Sequence, residues 1–167
     1  MPNKDHHHGI VAAPWGVLGY VIRGGALTSI DFLSSRTKLR PARDALGRRI
    51  ESQLQRFFKN PAAAFDLPLQ PEGTEFQQRV WRHLQDIKPG EPCTYGELAR
   101  RLESGARAVG GACRANPIPI VIPCHRVVAA ADIGGYCGLR SGRMHQIKQW
   151  LLAHEGASLV SDTAKSL

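Results

Sequence analysis

No stretch of this 167-residue chain holds eighteen apolar residues in a row, so no segment is expected to cross a bilayer as a helix. The first eight residues, Met-Pro-Asn-Lys-Asp-His-His-His, lack the apolar core of a secretory signal. Only four cysteines occur, at 93, 113, 124 and 137, and none pairs as Cys-x-x-Cys. That spacing speaks against a disulfide framework and places the protein in a reducing compartment, the cytoplasm. No cysteine or second histidine cluster stands near His6-His7-His8, so no metal site is expected there. From the residues alone the three histidines are open to three readings: an expression tag, a metal-binding patch or a mobile terminus. Acidic residues are the scarcer sign of charge: 22 Lys and Arg against 14 Asp and Glu leave a net +8. An anionic partner such as nucleic acid is thereby permitted. The excess is not focused, since residues 1–71 carry ten basic against five acidic side chains and residues 72–157 eleven against eight. A solvated basic surface would show the same spread.

What is present suffices for a core. Hydrophobic residues make up 43% and charged residues 22%, a soluble globular composition for one ordinary domain or two small ones. Ile10–Ala13, Val17–Ile22 and Leu27–Leu33 read as a β-meander, broken by Pro14-Trp15-Gly16 and Gly24-Gly25. A helix is expected from Pro41 to Lys59, with Leu46, Ile50, Leu54, Phe57 and Phe58 on one face and Asn60-Pro61 ending it. Phe65–Leu69 alternates like an edge strand. Nothing in this part has the look of chemistry.

The pattern changes after Gln70-Pro71-Glu72-Gly73. Thr74-Glu75-Phe76-Gln77 is a capping box that opens a helix with Phe76, Val80, Trp81, Leu84 and Ile87 as its buried stripe. A second box, Thr94-Tyr95-Gly96-Glu97, opens a shorter helix burying Leu98 and Leu102. Ser104-Gly105 breaks the chain, and a third helix follows from Ala106 to Ala115. Two helices joined by a short glycine-containing turn are the helix-turn-helix signature. The third helix is rich in small residues, and Gly110 and Gly111 cost about 1 kcal/mol each there relative to alanine. Arg107, Gly111 and Arg114 share a face opposite Val109 and Cys113. A bare face with an arginine toward each end suits a narrow groove of DNA; tight helix–helix packing explains the glycines equally well.

Ile118 to Ile122 is a short β-branched run punctuated by Pro119 and Pro123, which reads as a buried extended segment but not a central strand. It delivers Cys124 and His125 side by side. A thiol braced by prolines beside an imidazole is what an activated cysteine nucleophile needs. Neighbouring side chains on extended chain point apart, so a bend or a bridging water is required. A last helix, Ser141 to Ala153, buries Met144, Ile147 and Leu151. Glu155 lies just past its C-terminus, an unfavourable place for an anion, and a partner is expected. His125 is the candidate, giving a Cys-His-Glu relay in which the acid orients the imidazole and favours its cation.

Taken together these residues resemble the O6-alkylguanine-DNA alkyltransferases, also called methylated-DNA–protein-cysteine methyltransferases. Six motifs between residues 75 and 157 stand in that family's order: Phe-Gln-Gln-Arg-Val-Trp, Thr-Tyr-Gly-Glu-Leu-Ala, Arg-Ala-Val-Gly-Gly-Ala, Asn-Pro-Ile-Pro-Ile, Ile-Pro-Cys-His-Arg-Val and Trp-Leu-Leu-Ala-His-Glu-Gly. The N-terminal part is similar only in outline. The resemblance implies an α+β protein. A small N-terminal α/β domain with an antiparallel sheet occupies residues 1–71. A mainly helical, winged-helix-like domain with the helix-turn-helix occupies residues 72–157, and residues 158–167 read as a disordered tail.

It further implies that Cys124 is the alkyl acceptor, with His125 deprotonating it through water and Glu155 behind. Asn116 would brace the turn between recognition helix and active site. Tyr95 would hydrogen-bond the extruded guanine and help protonate it, while Arg107 fills the hole in the base stack. Thr94, Ala106, Gly110, Gly111 and Arg114 would complete the DNA contact in the minor groove. Backbone around Cys124, Val127, Tyr136 and Cys137 would read the guanine edges. The implied partner is double-stranded DNA carrying O6-alkylguanine, with O4-alkylthymine left open, and the implied protein is a monomer that needs no cofactor, metal or membrane. The stretch between Tyr136 and Lys148 is longer than the family's usual one, and Cys137 stands where a small or hydroxyl residue is common. Three rivals remain: a binding-only alkyltransferase-like protein, a helix-turn-helix regulator, and a Cys-His hydrolase.

Overall fold

The computed structural model describes residues 6–136 and 142–157. It separates into two compact units, one running to Glu72 and joined by Pro117–Pro119, the other comprising Gly73–Asn116 and the chain from Ile120 onward.

In the first unit β1 (Gly9–Ala13), β2 (Gly16–Arg23) and β3 (Ala26–Leu33) form an antiparallel meander in sequence order. The turn between β2 and β3 is Gly24-Gly25, with φ of +58° and +76°. A two-residue loop with both φ positive is the hairpin geometry that matches strand twist, and glycine adopts it freely. Helix α1 (Ala45–Lys59) begins four residues later than the expected Pro41, because the Asp44 side chain accepts from the Gly47 amide and fixes the start there. Ile50, Leu54 and Phe57 on its inner face are buried. The expected edge strand at Phe65–Leu69 does not form: only Leu69 bridges, to Leu27. The amide side chain of Gln53 takes the place of a strand partner, donating to the Asp66 carbonyl at 3.1 Å and accepting the Asp66 amide at 2.8 Å. The histidines are not a mobile terminus. His7 is buried with Nε2 2.7 Å from Asp31, and His8 pairs with Asp44 at 2.6 Å.

The second unit carries α2 (Glu75–Gln85), β4 (Cys93–Thr94), α3 (Tyr95–Arg101), α4 (Ala106–Arg114), a 3-10 turn at Cys124–Arg126, β5 (Val127–Val128) and α5 (Gly142–His154). Both capping boxes form, Thr74 with Gln77 and Thr94 with Glu97. The core is drawn from Val80, Trp81, Leu84, Leu98, Leu102, Val109, Ile147 and Leu151, all buried. The Trp81 indole donates to the Ala112 carbonyl at 2.8 Å, fastening α4 to α2. β4 and β5 pair in parallel with Cys93 opposite Val127 and Thr94 opposite Val128. That short ladder fixes the N-terminus of α3, and hence Tyr95, beside the chain that has just left Cys124.

The run before Cys124 departs from expectation. Ile118, Ile120, Val121 and Ile122 are buried as expected, but the backbone is a series of turns. Ile120 has φ +76°, a conformation that costs a β-branched residue on the order of 1–3 kcal/mol. Burial dictates the residue types here, and two prolines with a left-handed isoleucine dictate the path.

Candidate active site

Cys124 and His125 occupy consecutive positions of the 3-10 turn, which supplies the bend that an extended chain would have lacked. The turn is braced by Asn116, whose side-chain amide donates to the Ile122 carbonyl at 2.8 Å. Burial pushes the Cys124 thiol up from its ordinary value, while a hydrogen bond from Asn116 and the positive charge of Lys148 pull the other way. Cys93 and Cys113 are also raised by burial, Cys113 far above the ordinary thiol range. Among the described thiols, Cys124 alone combines the Asn116 hydrogen bond with an adjoining imidazole.

His125 is fully buried, with Nε2 2.9 Å from Glu155 Oε2. A ring nitrogen facing a carboxylate carries the proton, which leaves Nδ1 as the acceptor in the neutral ring. Nδ1 has no hydrogen-bond partner among the described residues. Burial pulls the pKa of His125 down, Glu155 opposes, and the charges of Arg126 and Lys148 act in the same direction as burial. As expected, the carboxylate orients the ring and favours its cation; what the sequence did not reveal is the burial that outweighs it and pulls the ring's pKa down. Burial alone would raise the Glu155 carboxyl, yet hydrogen bonds from His125 and Arg126 hold it below its ordinary value.

Two residues of this centre were missing from the sequence-based expectation. Arg126 is buried and reaches Glu155 through Nε at 3.0 and 3.1 Å and through one terminal nitrogen at 2.8 Å; its other terminal nitrogen donates to the Ile87 carbonyl at 2.6 Å. Lys148 is fully buried on α5, with Nζ donating to the carbonyls of Val127 at 2.7 Å and Gly135 at 2.9 Å. Its ammonium lies 5.8 Å from the centroid of the Tyr95 ring. A signal for Lys148 was available: Met144, Ile147, Lys148 and Leu151 fall at i, i+3, i+4 and i+7, so the lysine stands on the apolar stripe.

Cys124 opens on a cavity of about 420 Å³. Of the expected site residues, Tyr95, Ala106, Arg107, Gly110, Arg114 and Tyr136 line it with Cys124. Cys113, Ala129, Gly134 and Gly135 complete the lining. His125, Glu155 and Asn116 stand behind the wall. Thr94 caps α3, Val127 is buried in β5, and Gly111 lies on α4 outside the cavity. Cys137 and the longer stretch after it lie outside the described residues. A Cβ built on Gly110 or Gly111 meets nothing within 4 Å, so these glycines are not required for packing among the described residues. α4 presents a bare surface, with Arg107 and Arg114 exposed at its two ends. No group of three His, Cys, Asp or Glu among the described residues could hold a metal, and no described helix is long and apolar enough to cross a membrane.

Fold and cavity together define an α+β protein with a helix-turn-helix and a cysteine in the cavity wall, next in sequence to a buried His125–Glu155 pair. Residues 75–157 match the family described as 6-O-methylguanine DNA methyltransferase, DNA binding domain. The chain is 44% identical over 114 residues to the methylated-DNA–protein-cysteine methyltransferase of Methanosarcina mazei, covering 67% of this chain and 70% of that protein. Its structure is similar to that of Mycobacterium tuberculosis O6-methylguanine methyltransferase, with TM-score 0.73, 34% identity and coverage of 89% and 92%. It is likewise similar to the M. tuberculosis OGT in complex with DNA, with TM-score 0.70, 35% identity and coverage of 87% and 90%. The chain belongs to the methylated-DNA–protein-cysteine methyltransferase family.

Gly134 tests the cavity wall. Its φ is +74°, and a Cβ there would lie 3.2 Å from both the Ala129 amide nitrogen and the Tyr95 ring. Gly134→Ala must shift the Tyr95 ring or the loop. The expected result is a folded protein whose single-turnover alkyl transfer is slowed up to about tenfold, since the contact asks for a shift of a few tenths of an ångström and a full 1 Å would cost about a hundredfold.

Proposed function

We propose that this protein repairs DNA by moving the alkyl group of O6-alkylguanine onto Cys124, once and irreversibly, after the damaged nucleotide has left the duplex. The observation that carries the reading is the cavity shared by Cys124, Tyr95 and Arg107, with His125 and Glu155 buried behind the thiol. The target atom cannot be reached inside the stack, and extruding the nucleotide costs a few kcal/mol. Arg107, exposed at the start of α4 on the rim, fills the hole that the base leaves.

The transfer is a displacement at the alkyl carbon. The Cys124 proton passes to His125 Nδ1 through a bridging water, the sulfur–carbon bond forms and the carbon–oxygen bond breaks with its electron pair going to guanine. Tyr95 donates a proton to the departing base. The product thioether is cleaved neither by water nor by a second thiol, so each molecule acts once. Asn116 keeps the turn at Cys124 fixed while the base enters. Backbone around Cys124, Val127, Tyr136 and Cys137 reads the guanine edges.

The bare face of α4 enters the minor groove, with Gly110 and Gly111 allowing the approach and Arg107, Arg114, Ala106 and Thr94 at its edges. Residues 72–157 do this work, and residues 1–71 form a structural domain. The protein acts as a monomer in the cytoplasm, where its thiols stay reduced. Lesion recognition without transfer would dispense with the thiol, and the relay behind Cys124 favours transfer.

Intact-protein mass spectrometry after incubation with an O6-methylguanine oligonucleotide is expected to show one added methyl, mapped to Cys124 and absent in Cys124→Ala. Unmodified protein with bound DNA would favour lesion recognition alone. Gly111→Leu separates groove contact from packing. Its side chain enters open space, so thermal stability is expected to hold or rise, by about 1 kcal/mol from helix propensity, while DNA affinity drops at least tenfold. Loss of stability would instead assign the glycine to packing.

A further inference from the structure

Glu155 has two claimants, and only one belongs to the relay as described above. Its Oε2 lies 2.9 Å from His125 Nε2, 2.8 Å from a terminal nitrogen of Arg126 and 3.1 Å from Arg126 Nε, while Oε1 lies 3.0 Å from Arg126 Nε. Arg126 is itself held at a third point, the Ile87 carbonyl beyond the C-terminus of α2, at 2.6 Å. The guanidinium thus ties three places together: the turn that bears the thiol, the second residue after α2 and the residue after α5. All three side chains of the group are buried. A carboxylate with a lone imidazole partner in such a setting would draw a proton onto that ring. A carboxylate already satisfied by a guanidinium fork has less pull to spare.

We propose that Arg126 is a positioning residue for alkyl transfer: by sharing Glu155 with His125 it fixes the carboxylate's geometry and keeps the imidazole neutral and able to accept the Cys124 proton. The proposal rests on the reading of Cys124 as acceptor and His125 as base. The charged and titratable groups acting on His125 are Glu155 and Lys148 from α5 and its end and Arg126 from its own turn, with the Cys124 thiol adjoining. Burial, Arg126 and Lys148 disfavour the cation, and Glu155 alone favours it. Removing the guanidinium therefore leaves a buried carboxylate facing imidazole only. The sign follows: the neutral base, present above the ring's pKa, is lost as pH falls through it, so raising that pKa moves the acid limb of the rate profile upward.

The test is the single-turnover rate of methyl transfer from an O6-methylguanine oligonucleotide against pH, for full-length wild type, Arg126→Gln and Arg126→Lys. It is paired with an NMR titration of the His125 ring in the DNA-free proteins. In wild type the limb is expected below the ordinary histidine value of 6.5. In Arg126→Gln both the limb and the ring titration are expected to move up by about 1–3 units, the usual effect of an opposite charge at close range. Arg126→Lys retains a cation without the fork, and its limb is expected between the two. If Arg126→Gln does not fold, the lysine variant decides: a limb above wild type upholds the proposal. A rate lowered by one factor at every pH, with the ring titration unmoved, overturns it and leaves Arg126 a purely structural tie. The ring titration involves no transfer, so a failure of the reading of Cys124 would appear separately, as wild-type protein without methyl.

Discussion

A carboxylate shut away from water must be satisfied from within, and the second unit is arranged around how Glu155 is satisfied. The residue sits just past the last turn of α5, where the helix carbonyls repel an anion. Its compensation comes from one ring nitrogen and the Arg126 fork, all of it delivered by the three-residue turn that also carries the thiol. The turn, the end of α2 and the end of α5 are therefore held as one piece. Losing the Arg126 fork would leave a buried carboxylate without its charged partner, typically a cost of about 3–5 kcal/mol. Stability and readiness for chemistry rest on the same few hydrogen bonds.

The resting thiol follows from the same burial. Desolvation pushes Cys124 up and His125 down, so the pair at rest is thiol and neutral imidazole. The hydrogen bond from Asn116 and the charge of Lys148 act on the thiol against burial. Lys148 ties β5 to the loop that lines the cavity, since its Nζ binds the carbonyls of Val127 and Gly135. The same Nζ lies 5.8 Å from the centroid of the Tyr95 ring.

Much of this was legible in the residues, for reasons that differ from place to place. The capping boxes at Thr74 and Thr94 worked because a side chain three residues away either completes the cap or does not. Glu155 was flagged by an electrostatic anomaly, a carboxylate at the wrong end of a helix, and the anomaly pointed to His125. Ile118–Ile122 misled because β-branched residues report burial more reliably than backbone path; the two prolines and the positive φ of Ile120 made turns of it. Arg126 and Lys148 escaped because a basic residue is presumed to face solvent. Lys148 nevertheless stood in the apolar stripe of α5, and that position carried the information. Phe65–Leu69 looked like a strand because it alternates, but alternation cannot reveal that a glutamine side chain will occupy the ladder. The glycines of α4 could not be assigned from sequence, since packing and groove contact ask for the same residue. The open space beside both glycines removes packing among the described residues as their reason.

One sulfur must take one alkyl group and keep it. The most direct test is a titration of a fixed amount of protein with increasing O6-methylguanine DNA, followed to completion. The extent of repair is predicted to stop at one lesion per protein molecule, however long the reaction runs. Continued repair beyond that ratio would mean turnover, and the account would be contradicted.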